Sequence, residues 1–513
     1  MKSAETISAI LDQQARKYGD RTYLFFEDQK VTYGELAQRG TRLACGLRAS
    51  GVSAGDKVAV LLTNSPSFFD VFFGVALTGA TLVPINPRYK FREVKDIIDR
   101  VEAETLIIEK ELWGDLKGLQ EGCKLIKNIF FKGSDTPPGL RPFTNLYSDK
   151  NVALPGIKFE DEFAIIFTSG TTGAPKGVVL THGNYVTNAF QGARGKDFNE
   201  STRVLTCLPL VHVNAQVSSF LGSFVMGGQL VLQKEFHPKE FLVALSKYSV
   251  TSFAAVPTIY AILLNQADLN QYDFSHLTYC ISGSAPMSRA LRSNFEKTFN
   301  ANILEAYGLT EATAMVSTNP PHGIRKVGSI GLPYENIKMK VVDFEDHTLD
   351  SNQVGEILIS GPNVFKGYFK EPEATAKAVV NGWLHSGDLG YRDDDGYYFL
   401  TGRIKELIIR GGINIYPKEI EDIIATYSKI AQVAIIGIPD EIWGERVHAC
   451  IISKENQRVT VEEINNYLKD KIASFKIPNT LSLHREFPMG GLGKIKKQKL
   501  KEVVMQVGGC NEF

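Results

Sequence analysis

Short, wholly apolar runs alternate with stretches of helical spacing through the N-terminal half of the chain, and this alternation most constrains its fold. Gly40, Leu43, Ala44 and Leu47 recur at helical spacing, and Gly51 stops that helix. Gly55-Asp56 then turns the chain into Val58-Ala59-Val60-Leu61-Leu62, which reads as a buried strand. Apolar runs at 163–167, 204–208, 230–232, 252–256 and 279–282 repeat the pattern. A strand apolar on both faces must be covered on both, so the expectation is α/β, with parallel-rich sheets carrying helices on either side.

The texture changes near residue 330. Ile337, Met339 and Val341 alternate with Lys338 and Lys340, the mark of a half-exposed antiparallel strand. Residues 357–360 and 397–400 continue in that style between frequent glycines, and after Gly402 a smaller mixed unit follows. Its expected strands are Ile435-Ile436 and 449–452, and its expected helices 418–427 and 461–472. The 513-residue chain exceeds one ordinary domain. It is read as domains 1–402 and 403–513, with a hinge at Arg403–Lys405 centred on Lys405.

Lysine plus arginine (57) balances aspartate plus glutamate (57), so no global field favours nucleic acid. The six cysteines lie far apart without a C-x-x-C pair, against both a disulfide framework and the common zinc spacings. Neither a cleavable leader nor a transmembrane run is evident, so the chain is expected to be cytoplasmic. Peripheral membrane contact and a homodimer both stay open.

The densest local signal is Thr168-Ser169-Gly170-Thr171-Thr172-Gly173-Ala174-Pro175-Lys176-Gly177, directly after an apolar run. Glycines let backbone N–H groups approach an oxyanion, hydroxyls add donors, and Lys176 supplies charge. The spacing is not that of a Walker A loop; a solvent-exposed turn is the competing reading.

This loop resembles the signature of the adenylate-forming superfamily, which includes acyl-CoA synthetases, aryl-CoA ligases and luciferases. Further segments appear in that superfamily's order: 79–87, Leu208-Pro209-Leu210-Val211-His212, Tyr307-Gly308-Leu309-Thr310-Glu311, Ser386-Gly387-Asp388, Gly402-Arg403-Ile404-Lys405-Glu406 and Gly493-Lys494-Ile495. The resemblance implies a large N-terminal domain with a distorted antiparallel barrel-like part, and a small mobile α+β C-terminal domain. It is most like a fatty-acid or related acyl-CoA ligase, using ATP, Mg²⁺ and coenzyme A.

A carboxylate becomes an acyl donor by attacking the α-phosphorus of ATP, so two anions must meet among cations and preorganised donors. The resemblance implies that Thr168, Ser169, Gly170, Thr171, Thr172, Gly173 and Lys176 hold phosphates. Ser284, Ala285, Glu305, Ala306, Tyr307 and Gly308 would wall the adenylate, and Thr310 would donate to phosphate. Thr171 and Glu311 would hold Mg²⁺, Asp388 would accept both ribose hydroxyls, and Arg403 would contact ribose or phosphate. Read alone, Gly387-Asp388 is equally a turn. Lys494 would bridge carboxylate and α-phosphate, whereas Lys496, Lys497, Lys499 and Lys501 read as a solvated basic face. Gly490-Gly491 stand where the family often shows a threonine.

A lone histidine near a strand end is most often structural. The resemblance instead gives His212 a positioning role at the acid pocket and pantetheine route, not that of a general base. Val213, Val217, Ser282, Gly283 and Gly308 complete the expected pocket. Relatives that activate amino acids carry an aspartate near this histidine; residues 211–216 contain no acid, so an ammonium would go unpaired. Acetate-specific relatives plug the pocket with tryptophan where Gly308 stands, which points to a larger apolar acid. Gly411 and Gly412 resemble the segment that admits pantetheine, although two glycines can equally form only a turn. A ligase that loads a separate carrier protein and a non-catalytic nucleotide-binding relative are the alternatives.

Overall fold

The structure is a computed structural model describing residues 5–150, 152–168, 175–283, 285, 287–454, 457–489 and 495–506. The chain divides into two compact units. One comprises 1–327, 331–338 and 359–384; the other comprises 328–330, 339–358 and 385–513. The 402/403 boundary read from sequence falls inside the second of these.

The first unit is built on two sheets. In one, the strands Lys57–Leu61, Thr81–Pro84, Thr105–Glu109 and Asn128–Lys132 run parallel. Thr81–Pro84 also pairs in parallel with Glu162–Thr168, which forms an antiparallel hairpin with Lys176–Thr181. The two-residue strand Gly367–Tyr368 closes that edge by pairing with Val178 and Val179. In the other sheet, Thr22–Phe26, Gln229–Leu232, Arg203–Thr206, Ser252–Ala255, Tyr279–Ser282 and Asn302–Tyr307 run parallel in that order. Every apolar run singled out above is a strand of one of these sheets. Among the described residues the strand order of each sheet follows an open path, so the barrel-like part does not close.

Helix boundaries follow local chemistry. Thr32 caps Tyr33–Ala49 and Thr181 caps His182–Gly195, each closing a capping box with the residue three further on, Glu35 or Asn184. Helix Pro66–Thr78 begins with proline in its first turn and is buried almost all round, through Phe68, Phe69, Phe72 and Phe73. Phe69, Phe72 and Phe73 pack against Phe220, whose ring lies 4.6–5.4 Å from theirs. That aromatic cluster fixes the π-helical segment Ala215–Leu221, which follows His212.

In the second unit, the hairpin Ile430–Asp440 and Gly444–Ser453 is joined by the strands Ile408–Arg410, Ile413–Ile415 and Thr480–Leu483. Helices Pro417–Ile424 and Val461–Leu468 cover a core rich in isoleucine. Lys497 departs from the solvated face expected of it. Its ammonium lies 2.7 Å from Glu421 and 3.2 Å from Glu406, and Lys501 pairs with Glu445. Partners distant in sequence, not solvent, take those charges. The five described cysteines are free and buried; Cys510 lies outside the described residues. Among the described residues no helix is long and apolar enough to cross a membrane.

Two buried histidines set an acid limit. His182 is fully buried with both ring nitrogens lacking a hydrogen-bond partner among the described residues. His448 lies between Thr480 Oγ1 (2.7 Å) and Ser482 Oγ (2.9 Å). Burial lowers both to a pKa of about 4. Folded, they stay neutral, whereas the unfolded chain takes up protons below about pH 6.5. Their contribution is complete above that pH and is lost as pH falls through 6.5 towards 4, by about 2 kcal/mol each at pH 5. Urea unfolding midpoints should therefore drop between pH 7 and pH 5, less steeply in His448→Gln; an unchanged midpoint contradicts this reading.

Candidate active site

The segment after strand Asn302–Tyr307 is bent into a tight turn. Leu309 leads into the 3₁₀ turn Thr310–Ala312, and Thr313 and Ala314 follow at φ 54° and 79°. Ala314 N–H donates to Leu309 C=O and Val316 N–H to Tyr307 C=O, both at 3.0 Å. Left-handed backbone at two successive non-glycine residues costs on the order of 1–3 kcal/mol each and persists only where its surroundings hold it. Here two buried asparagines do so. Asn188 donates to Met315 C=O at 2.7 Å and accepts from Met315 N–H at 3.2 Å. Asn363 donates to Ala312 C=O at 3.2 Å, while its own carbonyl accepts from the Thr313 hydroxyl at 2.7 Å.

Gly308 serves this turn. A Cβ built there would land on the Ala314 carbonyl oxygen, far inside van der Waals contact. This departs from the sequence reading: close backbone approach by itself accounts for the glycine, without any appeal to pocket space.

Glu311 leaves the turn with its C=O accepting from Phe365 N–H at 2.8 Å, and its carboxylate accepts from the Tyr368 hydroxyl at 3.0 Å. The Lys176 ammonium lies over the Tyr368 ring, 4.8 Å from its centre. Thr168 and Lys176 pair across the hairpin, so the described ends of the signature loop adjoin. Ser169, Gly170, Thr171, Thr172 and Gly173 lie outside the described residues, as do Ser284 and Lys494.

Ser282 is buried at the end of its strand, with Oγ unpartnered among the described residues, and Gly283 N–H reaches Ala255 C=O. Ala285 follows, half-buried. Tyr307 is buried and Ala306 pairs with Thr318. The Glu305 carboxylate lies 3.1 Å from the guanidinium of buried Arg292. Val213 and Val217 are buried in the first unit. His212 lines a pocket with Pro84, Ile85, Asn86, Tyr89, Phe167 and Val211. Burial, and then the Arg88 charge, lower its pKa, so the imidazole is neutral at neutral pH.

Lys196 went unnoticed in the sequence. It is 1% exposed, and its Nζ donates to Ser218 C=O and Oγ, both at 3.1 Å, and to Met315 Sδ at 3.6 Å. Burial without a carboxylate partner among the described residues lowers its pKa to about 7.

In the second unit Asp388 lies within strand Trp383–Arg392, not in a turn, and faces Arg403 across a hairpin. Arg403 Nε is 2.8 Å from the Asp388 carboxylate. Lys405 sits in the 3₁₀ turn Ile404–Glu406. Gly411 and Gly412, at φ 57° and 80°, form the two-residue turn between Ile408–Arg410 and Ile413–Ile415. Positive φ at both positions accounts for two glycines whether or not a thiol channel passes.

A model of AMP-binding enzymes matches residues 11–369, and one of the AMP-binding enzyme C-terminal domain matches 419–494. The chain is 31% identical to a long-chain-fatty-acid–CoA ligase of Bacillus subtilis (strain 168), covering 97% of this chain and 94% of that one. It is 33% identical to a feruloyl-CoA synthase of Amycolatopsis sp, covering 92% and 93%. The crystal structure of the anthranilate CoA ligase AuaEII in complex with anthranoyl-AMP superposes with a TM-score of 0.91 over 98% of each chain, at 26% identity. The resemblance drawn from the motifs therefore holds across both halves: the chain belongs to the AMP-binding enzyme family and is an acid–thiol ligase of the AMP-forming kind.

Proposed function

We propose that the enzyme condenses a bulky apolar carboxylic acid, medium- or long-chain fatty acids first among them, with ATP to give acyl-AMP and pyrophosphate. It then passes the acyl group to the thiol of coenzyme A, releasing AMP. The observation that carries this is the alignment of Lys176, Tyr368 and Glu311 beside the paired ends of the 168–176 hairpin. A cation and a carboxylate held a phenol apart suit a polyphosphate with its counter-ion.

In this reading Lys176 and the loop residues Ser169 to Gly173 hold the β- and γ-phosphates, and Thr310 donates to phosphate. Tyr307, Ala306, Ser284 and Ala285 wall the adenine, and Asp388 accepts the ribose hydroxyls beside Arg403. Lys494 bridges the attacking carboxylate and the α-phosphate. Lys405 is the hinge, and the Gly411–Gly412 turn borders the thiol route. Glu311, with Thr171, suits Mg²⁺, a hard ion that takes one or two carboxylates plus phosphate oxygens. When bound, that ion would neutralise charge gathering on the phosphates. His212, neutral and half-buried, orients the acid and excludes water without taking its proton.

The choice of acid is supported by Val213 and Val217 and by the absence of an acidic residue from 211–216. The relatives are named for unlike acids, from long-chain fatty and feruloyl groups to oxalate and carnitine, so the choice rests on this chain's own residues. The test is pyrophosphate release over acids of graded length and ring content, with and without CoA, with thioesters identified by mass. Acyl-CoA from apolar acids is expected. Acyl-AMP without CoA turnover would move the acceptor to a carrier protein, and absence of pyrophosphate with every acid would refute the reading.

A further inference from the structure

We propose that Tyr368 is a positioning residue for the nucleotide site, its ring seating the Lys176 ammonium while its hydroxyl aims the Glu311 carboxylate. This rests on the ligase reading above and adds to it a residue that none of the sequence motifs contains.

Three chain segments distant in sequence converge on this side chain. Tyr368 pairs with Val178 at the sheet edge, two residues along the strand that Lys176 begins. Its ring packs edge-on against Phe365 at 4.9 Å, and its N–H donates to Thr375 Oγ1 at 2.8 Å. Phe365 N–H in turn holds the Glu311 carbonyl. The backbone of 365–368 thus braces both the phenol and the residue that the phenol contacts.

The chemistry of the pair explains why a tyrosine suits this place. Among the described residues no carboxylate pairs with Lys176. An ion pair there would cancel the charge that an incoming phosphate needs. An aromatic face attracts the ammonium more weakly and does not neutralise it. The hydroxyl occupies one oxygen of Glu311 and fixes the plane of the carboxylate, so the other oxygen can meet a hard cation in one orientation.

Phenylalanine removes the hydroxyl and keeps the ring; leucine removes both. In Tyr368→Phe, binding of metal-free ATP should stay within about twofold of wild type. Mn²⁺ affinity of the enzyme–ATP complex, titrated by electron paramagnetic resonance, should fall on the order of tenfold, as for loss of a hydrogen bond to a charged group. Tyr368→Leu should show the same metal defect and, in addition, weaker metal-free ATP binding by calorimetry. Thermal melting of both unliganded variants controls for folding. Unchanged Mn²⁺ affinity in a folded Tyr368→Phe overturns the proposal, as does an equal loss of metal-free ATP binding in both variants. These titrations need no acid. A wild-type protein that binds Mn²⁺ and ATP but releases no pyrophosphate with any acid would refute the ligase reading and leave the Tyr368 result standing.

Discussion

Lys494→Ala will lower acyl-adenylate formation roughly a hundred- to a thousandfold while leaving thioester formation from presynthesised acyl-AMP nearly intact. The magnitude is that of removing one preorganised cation from a transition state in which two anions approach. Lys494 itself lies outside the described residues, but those flanking it are informative. Met489 and Ile495 pair across an antiparallel bridge, and Lys496 N–H donates to Pro488 C=O at 2.7 Å. Of the other lysines nearby, Lys497 and Lys501 are tied to glutamates, so neither is a ready substitute for the missing charge. Acetylating Lys494 removes the same charge and should have the same effect. The measurement is single-turnover acyl-AMP formation alongside thiolysis of supplied acyl-AMP. Equal loss in both half-reactions would show that Lys494 serves the fold or the thiol step.

How much could be read beforehand depends on where each signal resides. The parallel strands were legible because burial on both faces makes them continuous apolar runs bounded by glycine. The hairpin 430–453 is longer than expected because its outer part carries Gln432, Glu445 and Arg446, which read as loop. Strand Gly367–Tyr368 has two residues, too few to show any period, so Tyr368 stayed invisible until its sheet partner and Glu311 were both in place. Asn188 and Lys196 sit on or just after a helix, where polar residues usually mark the solvent face. Here they turn inward to Met315, a contact that no local pattern announces. The order of motifs names the candidate nucleotide residues, since each motif is local. Their support is not local: the buried amides of Asn188 and Asn363 reach the Thr310–Glu311 turn from far along the chain.

Gly308 shows how one residue type carries two signals, and its substitution has the second large effect. Glycine permits either open space or close backbone approach, and sequence alone does not separate them. If it marked the depth of an acid pocket, Gly308→Ala would be mild and Gly308→Trp would shift preference towards short acids. The structure predicts otherwise. An alanine Cβ would overlap the Ala314 carbonyl oxygen, which belongs to a turn already carrying left-handed Thr313 and Ala314. Relief requires the two arms of the turn to part, loosening the bonds from Ala314 N–H to Leu309 and from Val316 N–H to Tyr307. Overpacking costs about 1–3 kcal/mol and each lost hydrogen bond about 1 kcal/mol more, so Gly308→Ala should destabilise the first unit by several kcal/mol. Thr310 and Glu311 ride on the same turn, and misplacing them by about 1 Å is enough to cost a hundredfold in rate. The measurement is kcat/KM over a homologous acid series, with unfolding midpoints, for Gly308→Ala and Gly308→Trp. Both variants should lose activity towards all acids alike, without a change in length profile. A stable Gly308→Ala with wild-type kcat/KM, or a Gly308→Trp active only on short acids, would return this glycine to the acid pocket.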